Sequence, residues 1–373
     1  MATRSGNRQP AGGDPTGRAG GIPGIEAVAR LAGVSTATVS RALRGLPNVS
    51  EQTRARVLQA ASELDYVTDP SAARLASGRT NSVAVLMPYV GRPFFSAVLD
   101  GIEAELRSAG YDLLLYALPD EAARDQFFER MPLRRRVDGV LVVTQPLQPA
   151  HVDRLHDLGL PLGTVGMTLP GVPHVGIDDE LGARIAVNHL VTLGHERIAM
   201  IGGGVGVHES NPFVTPRLRR KGYREALADA GLEWRPDYEV DGEYTTRGGE
   251  LAMSQLLGVA QPATAVFAQS DRMAFGVMHM LRGLGMSCPD DLSLVGFGDH
   301  EVAQAMDLTT IHQPTTEQGA AAARMLLRTL AGESASEERA AGDDARDEVA
   351  SELLPIRLVV RATTKPPRRA RGG

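Results

Sequence analysis

Cysteine is almost absent: Cys288 is alone in 373 residues, so no internal disulfide framework holds this chain, and its thiol reads as an ordinary small side chain in a reducing compartment. No uninterrupted apolar run reaches the length of about 18 residues that marks a membrane span. The N-terminus, rich in Gly, Pro and Arg, has no apolar leader segment. A soluble, cytoplasmic protein is expected. Signatures of catalysis are missing as well. No GxSxG elbow occurs, and the nine histidines show no HExxH or comparable ligand spacing. The glycines of IGGGVGVHES follow a strand-like run but do not form GxGxxG at a helix start. His195, in LGHERI, reads as a structural turn residue rather than a base. No metal, no cofactor and no enzymatic activity are expected.

What is present is enough apolar content, 43%, for real cores, in a chain longer than one core usually holds. The net charge of -6 hides an asymmetry. Residues 1–80 carry 10 Lys or Arg against 6 acids, a net of +4, while the remainder carries 29 against 39, a net of -10. A chain so divided suits docking one end on phosphates while the other stays off them.

The positive end contains the clearest pattern. Ile25, Val28, Ala29 and Ala32 fall at helical spacing, Gly33 ends that helix, and Ser35 can cap a second one with Val39, Ala42 and Leu43 inward. Ser50 can cap a third, with Val57, Leu58, Ala61 and Leu64 on one face and Arg54 and Arg56 outward. Two short helices joined by a Gly turn and closed by a third make a helix-turn-helix unit, expected over 23–65. The second helix leaves Thr36, Ala37, Ser40, Arg41 and Arg44 outside, short polar or cationic groups able to meet base edges and phosphates in a major groove. Residues 1–22 lack periodicity and read as a disordered tail.

AVARLAGVSTATVSRAL and VSEQTRARVLQAASELDY resemble, nearly residue for residue, the headpiece of the lactose/galactose repressor family of bacterial transcription regulators. The resemblance implies a DNA-binding set completed by Ser35, Thr38, Asn48 and Thr53. It also marks residues 66–80 as a hinge that folds when two subunits meet on an operator, with Leu75 as the minor-groove wedge. The Arg-Ser pair usual before that leucine is here Ala73-Arg74, so a phosphate contact would come from the shifted Arg74.

From residue 81 apolar runs alternate with amphipathic helices. SVAVLMP, YDLLLYAL, DGVLVVTQ and LPLGTVGM read as buried strands, and a second series comprises HVGID, RIAMIGG, YEVDGEYT, TAVFAQS and LSLVGFGD. Alternation of strand and helix means parallel sheets covered on both faces. The family resemblance continues through LGHERIAMIGG, RRKGYREAL, VFAQSDRMAFGVM, PDDLSLVGFGD and LTTIHQP, and implies a two-lobed domain over 81–363 built like periplasmic sugar-binding proteins. Family topology places 81–178 with 311–331 in one lobe and 179–310 with 352–363 in the other. Residues 332–351, with seven acids and two Arg, read as a flexible acidic insert before a last strand, LLPIRLVVRAT, and 364–373 as a basic tail.

Two such sheets make a cleft between them. The resemblance implies that Arg219 grips the effector there, a role suited to a guanidinium fork. Ser270 stands where the family has a ligand-facing Asn or Ser, with Asp271 read as the cap of the next helix. Asp299 is the second of two commonly acidic positions, the first being Gly298 here, and Phe94 and Phe95 can stack on a ring. The expected fold is thus an all-α helix-turn-helix headpiece followed by an α/β domain of two parallel-sheet lobes. The expected function is a repressor that binds a palindromic operator as a homodimer under control of a sugar-like effector. The family's heptad tetramerisation tail has no counterpart. The alternative is a solute-binding or sugar-processing protein of the same two-lobed fold, against which the headpiece speaks.

Overall fold

The computed structural model describes residues 24–43, 47–66, 79–203, 214–332 and 351–368. The chain divides into two compact units, one ending at Gly78 and the other beginning at Arg79.

Among its described residues the first unit has three helices, α1 (Ile25–Ala32), α2 (Thr36–Leu43) and α3 (Glu51–Glu63). Each boundary has a local cause. Gly33 adopts φ 64°, the left-handed conformation that ends a helix, and Val34 N–H then bonds Ala29 O at 3.0 Å. Ser35 Oγ accepts from Thr38 N–H at 3.2 Å and Ser50 Oγ from Thr53 N–H at 3.3 Å, capping α2 and α3. Val28, Ala29 and Ala32 meet Val39 and Ala42 and, from α3, Val57, Ala60 and Ala61. Leu58 departs from expectation: it is 51% exposed, because the buried stripe of α3 runs through 57, 60 and 61 and a residue one position on lies off that face.

The second unit opens with β1 (Ser82–Met87), α4 (Pro93–Ser108), β2 (Asp112–Ala117), α5 (Glu121–Arg130), β3 (Gly139–Val143), α6 (Pro149–His156), β4 (Leu162–Val165) and β5 (His174–Gly176). It continues with α7 (Asp179–Thr192), β6 (Ile198–Gly202), α8 (Val214–Asp229), β7 (Glu239–Asp241), α9 (Thr246–Leu257), β8 (Ala265–Ala268), α10 (Asp271–Gly283) and β9 (Ser293–Gly298). It closes with α11 (Glu301–Ala305), β10 (Thr309–His312), α12 (Thr315–Ala331), β11 (Ser351–Leu353) and β12 (Arg357–Val359).

Among the described residues two six-stranded sheets result, in the orders β11-β5-β4-β3-β1-β2 and β12-β10-β9-β8-β6-β7. All neighbours are parallel except β12, which runs antiparallel to β10. Alternate residues of one strand serve opposite faces: in β1, Val83, Val85 and Met87 join one core with α4 and α12, while Ala84 and Leu86 join another with Phe127 and Phe128 of α5. The second sheet repeats the plan, with Ala199 and Ile201 of β6 on one side and Ile198 and Met200 on the other. In the first lobe α4 and α12 pack with almost no side chain between them. A Cβ on Gly101 would lie 2.0 Å from Thr316 O, and one on Gly319 2.0 Å from Val98 O.

The topology corrects three expectations. HVGID, grouped by its pattern with the second series, forms β5 and pairs with β4 in the first sheet, where the family topology of 81–178 puts it. LLPIRLVVRAT is not one strand of the second lobe: β11 pairs with β5 of the first sheet, and β12 with β10 of the second. β10, within LTTIHQP, stays in the second sheet through His312, so the crossing to α12 comes later than residue 311. The expected hinge residues Arg74 and Leu75, and with them Arg44, lie outside the described residues.

Candidate functional site

On α2, Val39 and Ala42 are buried in the three-helix core, which turns Thr36, Ala37 and Arg41 outward, exposed, with Ser35 exposed at the cap and Ser40 and Thr38 half-buried beside them. Ser35 Oγ lies 2.9 Å from Thr38 Oγ1, so the hydroxyls at the start of α2 hold one another. Asn48 is exposed in the loop before α3 at φ 71°, and the Thr53 hydroxyl lies 2.8 Å from Ser50 Oγ in the α3 cap. Among the described residues, Thr36, Ala37 and Arg41 thus share the outer side of α2, with Asn48 ahead of α3 and Thr53 within it.

In the second unit the carboxyl ends of both sheets face a cleft lined by residues of both lobes. The first lobe contributes Tyr89, Arg92 and Phe94 after β1, Thr144 after β3, Gly166 after β4 and Gln318 from α12. The second contributes Asp179 at the start of α7, Thr215 and Arg219 of α8, Tyr244 after β7, Ser270 and Arg272 around the start of α10, and Phe297 and His300 around the end of β9.

Arg219 is 5% exposed and prearranged. Its Nε donates to Asp179 Oδ1 at 2.8 Å, its Nη2 lies 2.8 Å from the same oxygen, and its Nη1 donates to Gln269 O at 2.5 Å. The guanidinium lies flat on Phe297, 3.4 Å from the ring centroid. Asp179 Oδ2 accepts from Thr215 Oγ1 at 3.3 Å, and burial pushes the Asp179 carboxyl up against the downward pull of Arg219. The helices that carry the pair touch directly, since a Cβ on Gly222 of α8 would lie 2.2 Å from Glu180 O of α7. This fixes the fork in one orientation and leaves a hydrogen on each terminal nitrogen for a ligand.

Of the other expected residues, Phe94 lines the cleft half-buried, with its ring edge-on to Phe95 at 5.2 Å; Phe95 reaches the wall but is buried in the first-lobe core. Ser270 lines the cleft and is also the cap of α10, its Oγ accepting from Met273 N–H at 3.3 Å. Asp271 therefore does not cap: fully buried, it accepts from Thr310 Oγ1 at 2.6 Å and from His300 N–H at 3.1 Å, and burial raises its pKa against that support. Asp299 is a correction. It is not in the cleft wall; its oxygens take Arg361 Nη2 at 2.6 Å and His312 Nδ1 at 2.9 Å, and although burial opposes it these partners hold its carboxyl below the usual range. Positive φ at Gly298 (144°) and Asp299 (60°) turns the chain so that His300 faces the cleft instead.

Sequence reasoning missed Asp179, Arg92, Arg272, Tyr244, Thr144 and Gln318. The signal for Asp179 was the acid pair opening α7: Asp178 caps, accepting from Leu181 N–H at 2.8 Å, so the next carboxylate is free to turn inward. His195 behaves as a structural residue, its Nδ1 2.9 Å from Thr264 Oγ1 and its Nε2 2.9 Å from Lys365 O. Burial pushes the Cys288 thiol up to about 12, which makes it a poor nucleophile. Among the described residues no group of His, Cys, Asp and Glu could hold a metal, and no helix is long and apolar enough to cross a membrane.

A helix-turn-helix unit followed by a two-lobed domain with a cleft between the lobes defines a class, the two-lobed DNA-binding regulators. Comparison with known proteins narrows it. The family described as bacterial regulatory proteins, lacI family, matches residues 24–69, and a periplasmic binding protein-like domain matches 187–364. The HTH-type transcriptional repressor CytR of Escherichia coli (strain K12) is 34% identical over 343 residues, 91% of this chain and 95% of that protein. A structure of the transcriptional regulator CelR in complex with cellobiose is 31% identical, with TM-score 0.67, covering 91% of this chain and 99% of that one. The lac repressor dimer bound to operator and the anti-inducer ONPF is 27% identical, with TM-score 0.77, over 91% and 98%. The chain belongs to the lacI family of bacterial regulatory proteins, and it is a DNA-binding transcription regulator.

Proposed function

We propose that the chain is a cytoplasmic repressor that binds a palindromic operator as a homodimer and whose affinity for DNA is set by a small molecule in the cleft. One observation carries the effector half of this reading: Arg219 is held rigidly by Asp179, Gln269 and Phe297 at the wall of a cleft built by both lobes. A donor fork fixed before its ligand arrives loses little entropy on binding, which is how sites of high affinity are built.

The DNA half rests on the outward face of α2. One recognition helix reads few base pairs, so specificity calls for two headpieces on an inverted repeat. Leu75 and Arg74, in the 66–80 connection between the units, are proposed as the minor-groove wedge and its phosphate contact. A ligand that prefers one arrangement of the lobes shifts the population by its differential affinity, and coupling of about 1–3 kcal/mol is the usual scale.

Selection of bound duplexes from a random pool by the full chain, followed by sequencing, tests the DNA half. An enriched inverted repeat is expected, bound by two chains per duplex in sedimentation. Enrichment of a single asymmetric half-site bound by one chain would refute the dimeric reading.

A further inference from the structure

The polar groups of the cleft are unbalanced in charge. Arg92, Arg219 and Arg272 line it, and Asp179 is the one acidic side chain in its described wall, already committed to Arg219. Asp271 and Asp299, the nearest acids in sequence, are turned to Thr310 and to Arg361 and His312. Neither Arg92 nor Arg272 has an ion-pair partner among the described residues. Arg92 instead stacks on Tyr89, 3.4 Å from the ring centroid. Burial lowers the Arg92 pKa and the charge of Arg272 adds to it, against the pull of Tyr89.

Hydrogen-bonding capacity is unbalanced in the same direction. Three buried side-chain atoms of the wall have no partner among the described residues: Arg272 Nη1, Gln318 Nε2 and Thr144 Oγ1. The first two can only donate and the third can donate, so what each lacks can be supplied by an acceptor. Two helices that begin on this wall, α4 and α12, have no side chain capping their first turns, and their N–H groups and dipoles add to the demand for negative charge.

We propose that the effector is anionic, a phosphate ester or a carboxylate on a polyhydroxylated ring, with its charged group held between Arg92 of the first lobe and Arg272 of the second. This rests on the proposed effector role of the cleft and specifies the ligand for it. The arrangement also supplies a reason for lobe closure. Without an anion the two guanidinium groups repel across the cleft and favour separation of the lobes. With one, each lobe contributes a charge-assisted bond to the same group, and closure is favoured.

The test uses the full chain and matched sets: glucose, glucose 6-phosphate and glucuronate; ribose and ribose 5-phosphate; adenosine and adenosine 5′-monophosphate; and inorganic phosphate alone. Thermal shift finds the binders and calorimetry gives each Kd. An anionic member is expected to bind at least about tenfold tighter than its neutral parent. Arg272→Gln should collapse that ratio toward one, with the unliganded Tm reporting that the variant is folded. The glucuronate and phosphate arms tell a carboxylate ligand from a phosphate one.

A neutral parent that binds as tightly as its anionic derivative overturns the proposal. So does a ratio that Arg272→Gln leaves unchanged, or silence across every anionic member, inorganic phosphate included. A neutral binder that alters operator affinity would remove the anion site yet keep the effector reading. A binder of either kind that leaves operator affinity untouched would strike the effector reading itself.

Discussion

Arg219 and Asp179 are a buried, hydrogen-bonded pair in the cleft wall, and removing either partner leaves the other charge largely buried and unpaired. Breaking such a pair costs about 3–5 kcal/mol, mostly the penalty of the orphaned charge. For a domain of this size each kcal/mol lowers Tm by about 2 °C, so Arg219→Ala or Asp179→Ala should lower the main thermal transition by roughly 6–10 °C. The guanidinium also covers the Phe297 ring, and an unbranched apolar replacement can keep that contact. Arg219→Met combined with Asp179→Leu should therefore recover most of the loss, because a well-packed apolar substitute for a buried ion pair is often neutral. Calorimetry on the full chain and its variants gives the cycle. A drop of less than about 2 °C in either single variant, or a double variant as unstable as the two losses taken together, would refute the claim that the pair is buried and coupled.

Other expectations follow from the same contacts. Arg41→Ala should weaken operator binding by about 1–3 kcal/mol at fixed salt with no change in Tm of the second unit, and an unchanged Kd would reject a DNA contact for this residue. Leu75→Ala, if the side chain is the wedge, should reduce operator bending in a gel-phasing or FRET assay with nonspecific affinity little changed; equal bend angles would reject it. Burial lowers the pKa of His195 against the support of Lys365 O, and burial lowers those of His189 and His300 as well. The folded state thus disfavours their protonated forms, so this stability is present above the ordinary His value of 6.5 and is lost as pH falls below it. Tm should decline between about pH 7 and 5, less steeply in His195→Gln, and a parallel decline in the variant would contradict the assignment.

Much of the headpiece was legible because its boundaries are set within a few residues: Gly33, Ser35 and Ser50 act on their own helix ends. The strands were legible as apolar runs buried on both faces. Their sheet membership was less so, since LLPIRLVV reads as one run while the chain crosses between sheets at Leu354, Pro355 and Ile356. In the cleft, the position of Arg219 could be read but its partner could not. Which of Asp178 and Asp179 caps and which turns inward depends on the approach of α8, set by the contact of Gly222 with Glu180 O. Asp299 was misplaced for a related reason. Two successive positive φ angles break the alternation that would have put it in the wall.

In the function proposed above, one chain links DNA affinity to occupancy of the cleft. The direct measurement is a titration of the selected operator by the full chain, followed by fluorescence anisotropy at constant salt, with and without a ligand found by thermal shift. Saturating ligand should change the operator Kd by about 5- to 150-fold, and saturating operator should change the ligand Kd by the same factor. An operator Kd that stays the same while calorimetry shows the cleft filled would contradict it.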